Sequence, residues 1–191
     1  MEFLMGPFDI EYHFDKLKER MQHRGSYITS FDNNEPLMIS SPKVLVLFMQ
    51  SLEDRFVGGQ VVKRIMYNAG AFATERMTKV ILKDEKVTRE NGCLYYINDL
   101  YLRGWGEMVV ESDKYNFNER SFTVAMPLTV FSEHYGNVGG TVCHYYAGLF
   151  AGMMTGFSEE KAECRETKCV SNGDNCCLFE IKKKASRLTT S

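Results

Sequence analysis

ETKCVSNGDNCCLF, residues 166–179, contains a turn signal between two strand-like flanks. Its central Asn-Gly pair favours a tight reversal of the chain, because both residue types tolerate a positive φ. A loop centred on Gly173 sets Cys169 opposite Cys177 on neighbouring strands, where the two thiolates can hold one metal ion. Glu166 lies three residues before Cys169. In a regular strand it faces the other side, so it joins the cysteines only through a bulge or a strand end.

A further cysteine, Cys143, stands upstream at the start of a small-residue-rich apolar segment, residues 144–157. This segment is predicted to be a helix in which Gly148, Gly152 and Gly156 recur every four residues. Because glycine has no Cβ, such a stripe lets the backbone of another helix approach closely.

These features together resemble a known family. The pattern E-x-x-C-x-x-x-G-D-x-x-C-x-F, preceded by a cysteine at the head of a helix, resembles the vinyl-4-reductase (4-vinyl reductase) domain. It is also similar to the related effector-sensing domains of aromatic-responsive bacterial regulators. In zinc-bearing members the ligands are the helix-start cysteine, the glutamate and the two hairpin cysteines. The resemblance therefore implies a structural Zn2+ held by Cys143, Glu166, Cys169 and Cys177, and four protein ligands leave no place for an activated water.

The resemblance also implies the fold and the domain organisation. It covers residues 37–183 and implies an α+β fold, with an antiparallel sheet packed against several helices. This is the vinyl-4-reductase-domain type, similar to the NO-signalling and Golgi-transport ligand-binding fold. Residues 1–36 are then an N-terminal helix and strand extension, and residues 184–191 a polar tail.

Local patterns predict the individual elements. They are a charged helix over 8–24, short strands at 26–31 and 35–41, helices over 43–56 and after Gly59, strands at 107–112 and 120–127, a loop or short helix over 127–137, and the two hairpin strands. Residues 92–103 fit either a helix or a strand, and their apolar spacing favours the helix. The apolar face predicted for the helix over 43–56 consists of Val44, Leu47, Phe48, Leu52 and Phe56. The family resemblance implies a homodimer, and we expect this helix and the next one to supply its interface.

Composition excludes several classes of protein. A chain of 191 residues fits one domain with a sizeable core. The composition is that of an ordinary globular protein, with 44% apolar residues, 25% charged residues and a net charge of −2. This charge balance gives no indication of a nucleic-acid partner. The apolar runs are too short to span a bilayer and the first residues lack the basic region of a secretory signal, so we expect a cytoplasmic protein without a membrane partner. Six cysteines in that compartment favour metal binding or free thiols over disulfides.

The family resemblance further implies a cavity between the helices and the sheet that accepts a small hydrophobic or aromatic molecule. The candidate ligand-binding residues are Trp105, Phe122, His134, Tyr145 and Tyr146. Trp105, His134 and the tyrosine hydroxyls would supply the polar contacts that orient such a ligand. The alternative is that these aromatic residues form ordinary core, as most residues of their kind do.

Other residues near the predicted metal site leave alternatives open. Cys164 has the same strand parity as Glu166 and could replace it as the fourth ligand. His144 follows Cys143 and could substitute for a ligand or hydrogen-bond to one. Cys176 could exchange as a ligand, and both Cys164 and Cys176 are candidate redox-active thiols. Without a metal, the cysteines of the motif would be small buried residues.

The leading hypothesis is a zinc-stabilised binding module, rather than an enzyme, that senses or carries a hydrophobic or aromatic molecule. The sequence shows no catalytic triad, Walker loop, HExxH helix or dinucleotide fingerprint. It shows no helix-turn-helix, ATPase or kinase segment either, so we expect the output to pass through a separate effector protein by a shift between conformations or assemblies. One alternative is a tetrapyrrole-related vinyl reductase or tetrapyrrole chaperone, although no flavin, nicotinamide or iron–sulfur motif is found. The other is a thiol redox switch.

Overall fold

The computed structural model describes residue 15 and residues 21–24, 27–30, 36–37, 43–55, 59–111 and 114–185. In chain order the elements are β1 (Met21–Arg24), β2 (Tyr27–Ser30), β3 (Pro36–Leu37), α1 (Lys43–Arg55), α2 (Gly59–Ile81), α3 (Arg89–Leu102), β4 (Val109–Val110), β5 (Phe122–Met126), α4 (Val130–Tyr135), α5 (His144–Ser158), β6 (Ala162–Lys168), a 3-10 turn (Val170–Asn172) and β7 (Cys177–Lys183).

The larger of the two sheets has the strand order β4-β5-β7-β6, and every neighbouring pair is antiparallel. Burial alternates along β5 and through most of β6 and β7, as a sheet with one covered face requires. The covered face packs against α5, where the rings of Phe150 and Phe179 meet with centroids 5.2 Å apart. The predicted α+β fold, with an antiparallel sheet against helices, is therefore confirmed.

The predicted glycine stripe lies where α5 crosses α2. A Cβ built on Gly148 or Gly152 would lie under 3.0 Å from backbone atoms of Tyr67 or Ala71 in α2. In return, Gly70 of α2 faces the backbone of Tyr145 at equally short range. The close approach of two helix backbones, predicted from the spacing of the glycines, is therefore present, and it holds α5 between α2 and the sheet.

The prediction of a helix over residues 8–24 is wrong at its C-terminal end. Met21–Arg24 forms β1 and pairs with β2 in a register that joins Arg24 to Tyr27. Two residues, a Gly-Ser pair, separate these strands, and such a pair is itself a hairpin signal that outweighs helical periodicity here. Asp15 is helical, and the rest of the predicted helix lies outside the described residues.

The remaining predicted strands and helices agree with the structure in type, but α1 buries a different face from the one predicted. Val46 and Met49 are buried, whereas Val44, Leu47 and Phe48 are 57%, 49% and 55% exposed. Of the predicted face, Leu52 is partly buried and packs against the core. Phe56 lies outside the described residues. Exposed apolar side chains continue on α2, at Val61, Ile65 and Phe72. Among the described helices, none combines the length and the apolarity needed to cross a bilayer.

Candidate metal centre

The strand alternation that separates Glu166 from Cys169 is interrupted by a register shift. Glu166 pairs with Phe179, but Lys168 pairs with Leu178, so β6 has one extra residue between the two pairs. This is the bulge that the spacing of the motif required. It lets Glu166 and Cys169 reach the same side of the hairpin.

The loop between β6 and β7 is shaped by Asp174 and Gly173. The Cys169 N–H donates to Asp174 Oδ2 at 2.9 Å, and the Asp174 N–H donates back to the Cys169 carbonyl at 3.2 Å. Gly173 follows the 3-10 turn with a φ of 92°, a value that favours glycine. Sequence reasoning did not assign a role to Asp174, although its place in the Gly-Asp pair of the motif was a usable signal. Its carboxylate positions the backbone of one candidate ligand.

Cys143 directly precedes α5 and brings the third sulfur to the hairpin. Its N–H donates to Glu166 Oε2 at 3.0 Å, which ties the start of α5 to β6. Its Sγ lies 4.0 Å from Cys169 Sγ and 3.8 Å from Cys177 Sγ, and the two hairpin sulfurs are 3.9 Å apart. One donor atom from each of the four residues lies within 4.8 Å of all the others, and all four residues are buried.

These distances match the geometry of a tetrahedral metal site. Zinc–sulfur bonds of about 2.3 Å place two sulfurs of a tetrahedron about 3.8 Å apart. The three observed separations, 3.8, 3.9 and 4.0 Å, lie at or just above that value. Glu166 Oε1 is buried and has no hydrogen-bond partner among the described residues, so it is available as the fourth donor. The residues present therefore fit a zinc ion.

The electrostatics of the cluster favour a cation. Burial, together with the neighbouring Cys169, raises the pKa of Glu166 to about 8. Hydrogen bonds from Cys143 and Cys169 lower the pKa of Cys177, while the same network raises that of Cys143. Without an ion, Cys143 and Glu166 therefore tend to keep their protons at neutral pH. A divalent cation would replace those protons and neutralise part of the buried negative charge.

The alternative ligands lie outside the four-residue cluster. Cys164 lies beside α2, and its backbone N–H donates to the Tyr67 hydroxyl at 3.1 Å. Burial raises the pKa of Cys164 well above its ordinary value, which keeps it a neutral thiol and disfavours redox chemistry there. Cys176 is only half-buried. His144 has a buried Nε2 without a hydrogen-bond partner among the described residues, and burial lowers the pKa of this side chain to about 4.

Three of the five candidate ligand-binding residues lie together at the start of α5. The Trp105 ring stacks on Tyr145 with centroids 6.0 Å apart and meets Tyr146 edge-on at 5.9 Å. The Tyr146 hydroxyl donates to the Trp105 carbonyl at 2.7 Å. Phe122 is fully buried, with its ring against Tyr115. His134, the remaining candidate, lies on α4 and is solvent-exposed, and its ring contacts that of the neighbouring Tyr135.

A separate cleft of about 570 Å³ opens between α2, α5 and the edge strand β6. Its lining includes Tyr67, Ala71, Gly152, Thr155 and Cys164, and none of the five candidate ligand-binding residues. Their role in binding a ligand stays a prediction.

Comparison with known proteins places this geometry in a family context. Residues 124–183 match the model of the vinyl-4-reductase domain. An uncharacterised protein of Methanocaldococcus jannaschii is 46% identical over 46 residues, which are 24% of this chain and 27% of that relative. The chain thus matches only about a quarter of the relative's length.

Solved structures with the same fold are more distant in sequence. The phenol-responsive sensory domain of the transcription activator PoxR, solved with phenol, superposes with a TM-score of 0.70 at 14% identity, covering 92% of each chain. A vinyl-4-reductase family protein from Methanocaldococcus jannaschii gives 0.51 at 15% identity, over 79% of this chain and 85% of that one. A trafficking protein particle complex subunit 3 from Naegleria fowleri, covalently bound to palmitic acid, gives 0.54 at 10% identity, over 75% and 95%.

At these identities the superpositions establish the fold alone. The match to the family itself rests on residues 124–183, which contain all four residues of the cluster. The resemblance predicted from the sequence is therefore confirmed as a match of residues 124–183 to the vinyl-4-reductase domain model.

Proposed function

We propose that this chain is a zinc-stabilised domain that senses or carries a small hydrophobic or aromatic molecule, as a homodimer acting through a separate effector protein. The observation that carries the metal part of the proposal is the convergence of four buried donors with sulfur separations of 3.8–4.0 Å. Three thiolates and one carboxylate are a donor set that suits tetrahedral Zn2+.

The role of the ion would be structural. With four protein donors the site is closed, and the ion supplies a cross-link rather than an activated water. Cys143 would anchor the start of α5, Glu166 and Cys169 the end of β6, and Cys177 the start of β7. The chain's own hydrogen bonds, such as Cys143 N–H to Glu166, already hold two of these segments together.

The ligand part of the proposal is supported by the fold and by one aromatic group. Two solved structures with this fold contain an apolar ligand, phenol in one and covalent palmitic acid in the other. In this chain, Trp105 and Tyr145 are half-buried and stacked on each other, and Tyr145 lies two residues after Cys143. Aromatic walls with a few polar atoms are the usual lining of a site for such molecules. A ligand bound at this aromatic pair would therefore change the contacts of the first turn of α5, next to the candidate ligand Cys143.

The homodimer is supported by the exposed apolar side chains of the two neighbouring helices. Val44, Leu47 and Phe48 on α1 are each about half exposed, and Phe72 on α2 is 62% exposed. Exposed apolar surface of this kind is typical of an interaction site. A second copy of the chain could cover it.

Metal analysis tests the first part of the proposal. Protein purified without chelator is expected to contain about one zinc per chain by elemental analysis and native mass spectrometry. Cys177→Ser should lose the metal, whereas Cys164→Ser, at a buried cysteine outside the cluster, should retain it. Wild-type protein that folds but binds no zinc under metal-replete conditions would refute the proposal.

A ligand screen tests the second part. Phenols and long-chain fatty acids are compared by thermal shift and by native mass spectrometry, with Trp105→Ala as the test variant. Phe72→Ala removes an aromatic ring from the outer face of α2 and is the matched control. A compound that stabilises the wild type and the control but not the Trp105 variant supports the proposal. Stabilisation by none of them would count against it, and strong visible absorption of the purified protein would point instead to a tetrapyrrole.

A further inference from the structure

Thr129 lies against the metal cluster without being one of its four donors. Its side chain is 2% exposed, and its Oγ1 lies 3.0 Å from Cys143 Sγ. The residue immediately precedes α4, and Oγ1 also accepts the Ser132 N–H at 3.0 Å. The Thr129 N–H in turn donates to Ser132 Oγ at 3.0 Å. The hydroxyl is therefore fixed by a reciprocal capping box on one side and faces sulfur on the other.

The hydrogen-bonding capacity of these groups decides which way the contact with sulfur runs. A hydroxyl has one proton and two lone pairs. Thr129 Oγ1 accepts from the Ser132 N–H, and the Ser132 hydroxyl can place its own proton on the Thr129 carbonyl at 3.1 Å. The Thr129 hydroxyl then has two acceptors at 3.0 Å, Ser132 Oγ and Cys143 Sγ. When Cys143 is a thiolate, its charge makes it the stronger acceptor, so the proton points at Sγ. A thiolate bound to a metal has no proton to give, so in that state only Thr129 can be the donor.

A hydrogen-bond donor at Cys143 Sγ would offset negative charge on the ligands of a bound ion. Three thiolates and a carboxylate around one divalent cation leave excess negative charge in a buried place. Donors to those ligands offset that charge, and hydrogen bonds to charged acceptors are stronger than neutral ones. Val170 N–H approaches Cys177 Sγ at 3.5 Å, and Cys143 N–H donates to Glu166. Thr129 supplies the corresponding donor to Cys143 Sγ.

We infer that Thr129 is a positioning residue of the metal centre, whose hydroxyl donates to the Cys143 thiolate and so increases the affinity for the ion. This inference rests on the proposed zinc site. Its scope is narrower, because the ion can bind without Thr129 but less tightly. Substitution of residues that hydrogen-bond to metal ligands typically weakens binding by about 10- to 100-fold.

Two variants and a spectroscopic readout separate the donor role from the capping role. Thr129→Val keeps the shape but removes the hydroxyl, and Thr129→Ser restores it. Loss of the cap alone takes no donor from the Cys143 thiolate, so the position of a thiolate-to-metal absorption band reports the donor role. Zinc affinity is measured by competition with a chromophoric chelator. Cobalt(II) is then loaded to record the thiolate-to-cobalt absorption in the near ultraviolet.

For Thr129→Val we expect one ion per chain, an affinity about tenfold lower, and a cobalt band at longer wavelength, because the thiolate has lost a donor. Thr129→Ser should keep the wild-type band and an affinity within about threefold of the wild type. An unchanged affinity and band in Thr129→Val, or equal losses in Thr129→Ser, would overturn the inference.

A measurement on the wild type keeps the inference testable if Thr129→Val does not fold. With NMR-active cadmium bound, the Thr129 hydroxyl proton should exchange slowly and show coupling to cadmium through Cys143 Sγ. A rapidly exchanging, uncoupled hydroxyl proton would overturn the inference. Failure of the wild type to bind any ion would instead refute the proposed zinc site, so the two failures are distinguishable.

Discussion

Substitution of Gly152 by alanine tests whether the close packing of α5 on α2 is essential to the fold. A Cβ at this position would lie under 3.0 Å from three atoms, the O, C and Cα of Ala71. All three belong to the backbone of α2, so no side-chain rotation can relieve the overlap. The two helices would have to separate by on the order of 1 Å to restore ordinary contacts.

The expected loss follows from two opposing contributions. Alanine has a helix propensity about 1 kcal/mol better than glycine. Overpacking typically costs about 1–3 kcal/mol, and a backbone obstacle at such short range argues for the upper end of that range. We therefore expect Gly152→Ala to lower the free energy of unfolding by about 2 kcal/mol. In a chain of this size that corresponds to a Tm lower by about 4–8 °C.

Two further glycine variants provide the comparison, measured by urea denaturation and thermal melting. A Cβ at Gly156 meets the side chain of Thr78. Its Oγ1 and Cγ2 can rotate away at the cost of the hydrogen bond to the Glu75 carbonyl, which leaves the milder overlap with Thr78 Cβ at 2.9 Å, so the loss should be smaller than at Gly152. Gly59, at the start of α2, has no neighbour within 4 Å of its Cβ position, and its substitution should be neutral or stabilising by up to about 1 kcal/mol. A Gly152→Ala variant as stable as Gly59→Ala would refute the packing argument.

Three other predictions concern titration, metal removal and assembly. Burial raises the pKa of Tyr96 from 10.0 to about 12. The folded protein therefore keeps a proton that the unfolded chain releases. This contribution to stability is fully present below pH 10 and is lost as the pH rises from about 10 to about 12, at about 1.4 kcal/mol per pH unit. Urea midpoints that stay constant over this pH range would contradict the prediction. Chelation of zinc should lower the Tm of the wild type but not that of Cys177→Ser, since only an ion bound to the folded state stabilises it; equal shifts would contradict the site. Phe48→Glu, at an exposed position of α1, should convert dimer to monomer in sedimentation without loss of helix content; an unchanged dimer would exclude this face.

The sequence predicted the convergence of the four candidate ligands better than it predicted which faces of the helices are buried. Three members of the cluster lie within a dozen residues, where turn chemistry and strand alternation constrain the backbone. Strand alternation showed that Glu166 could join the cysteines only through a bulge, but it could not predict where in β6 the bulge lies. On α1, apolar residues occur all round the helix, so periodicity could not tell the buried Val46 and Met49 from the exposed Leu47 and Phe48. That distinction depends on long-range packing.

The hydrogen bonds of the four candidate ligands indicate how strongly the fold would depend on a bound ion. Asp174 accepts the N–H of Cys169 and Glu166 accepts the N–H of Cys143, so two carboxylates already position the backbones of two candidate ligands. The sheet and α5 are joined separately by buried contacts such as Phe150 against Phe179. Zinc fingers are unfolded without metal because they have little other core. Here a large core exists without the site, so loss of the ion should loosen the hairpin and lower the Tm while the domain remains folded.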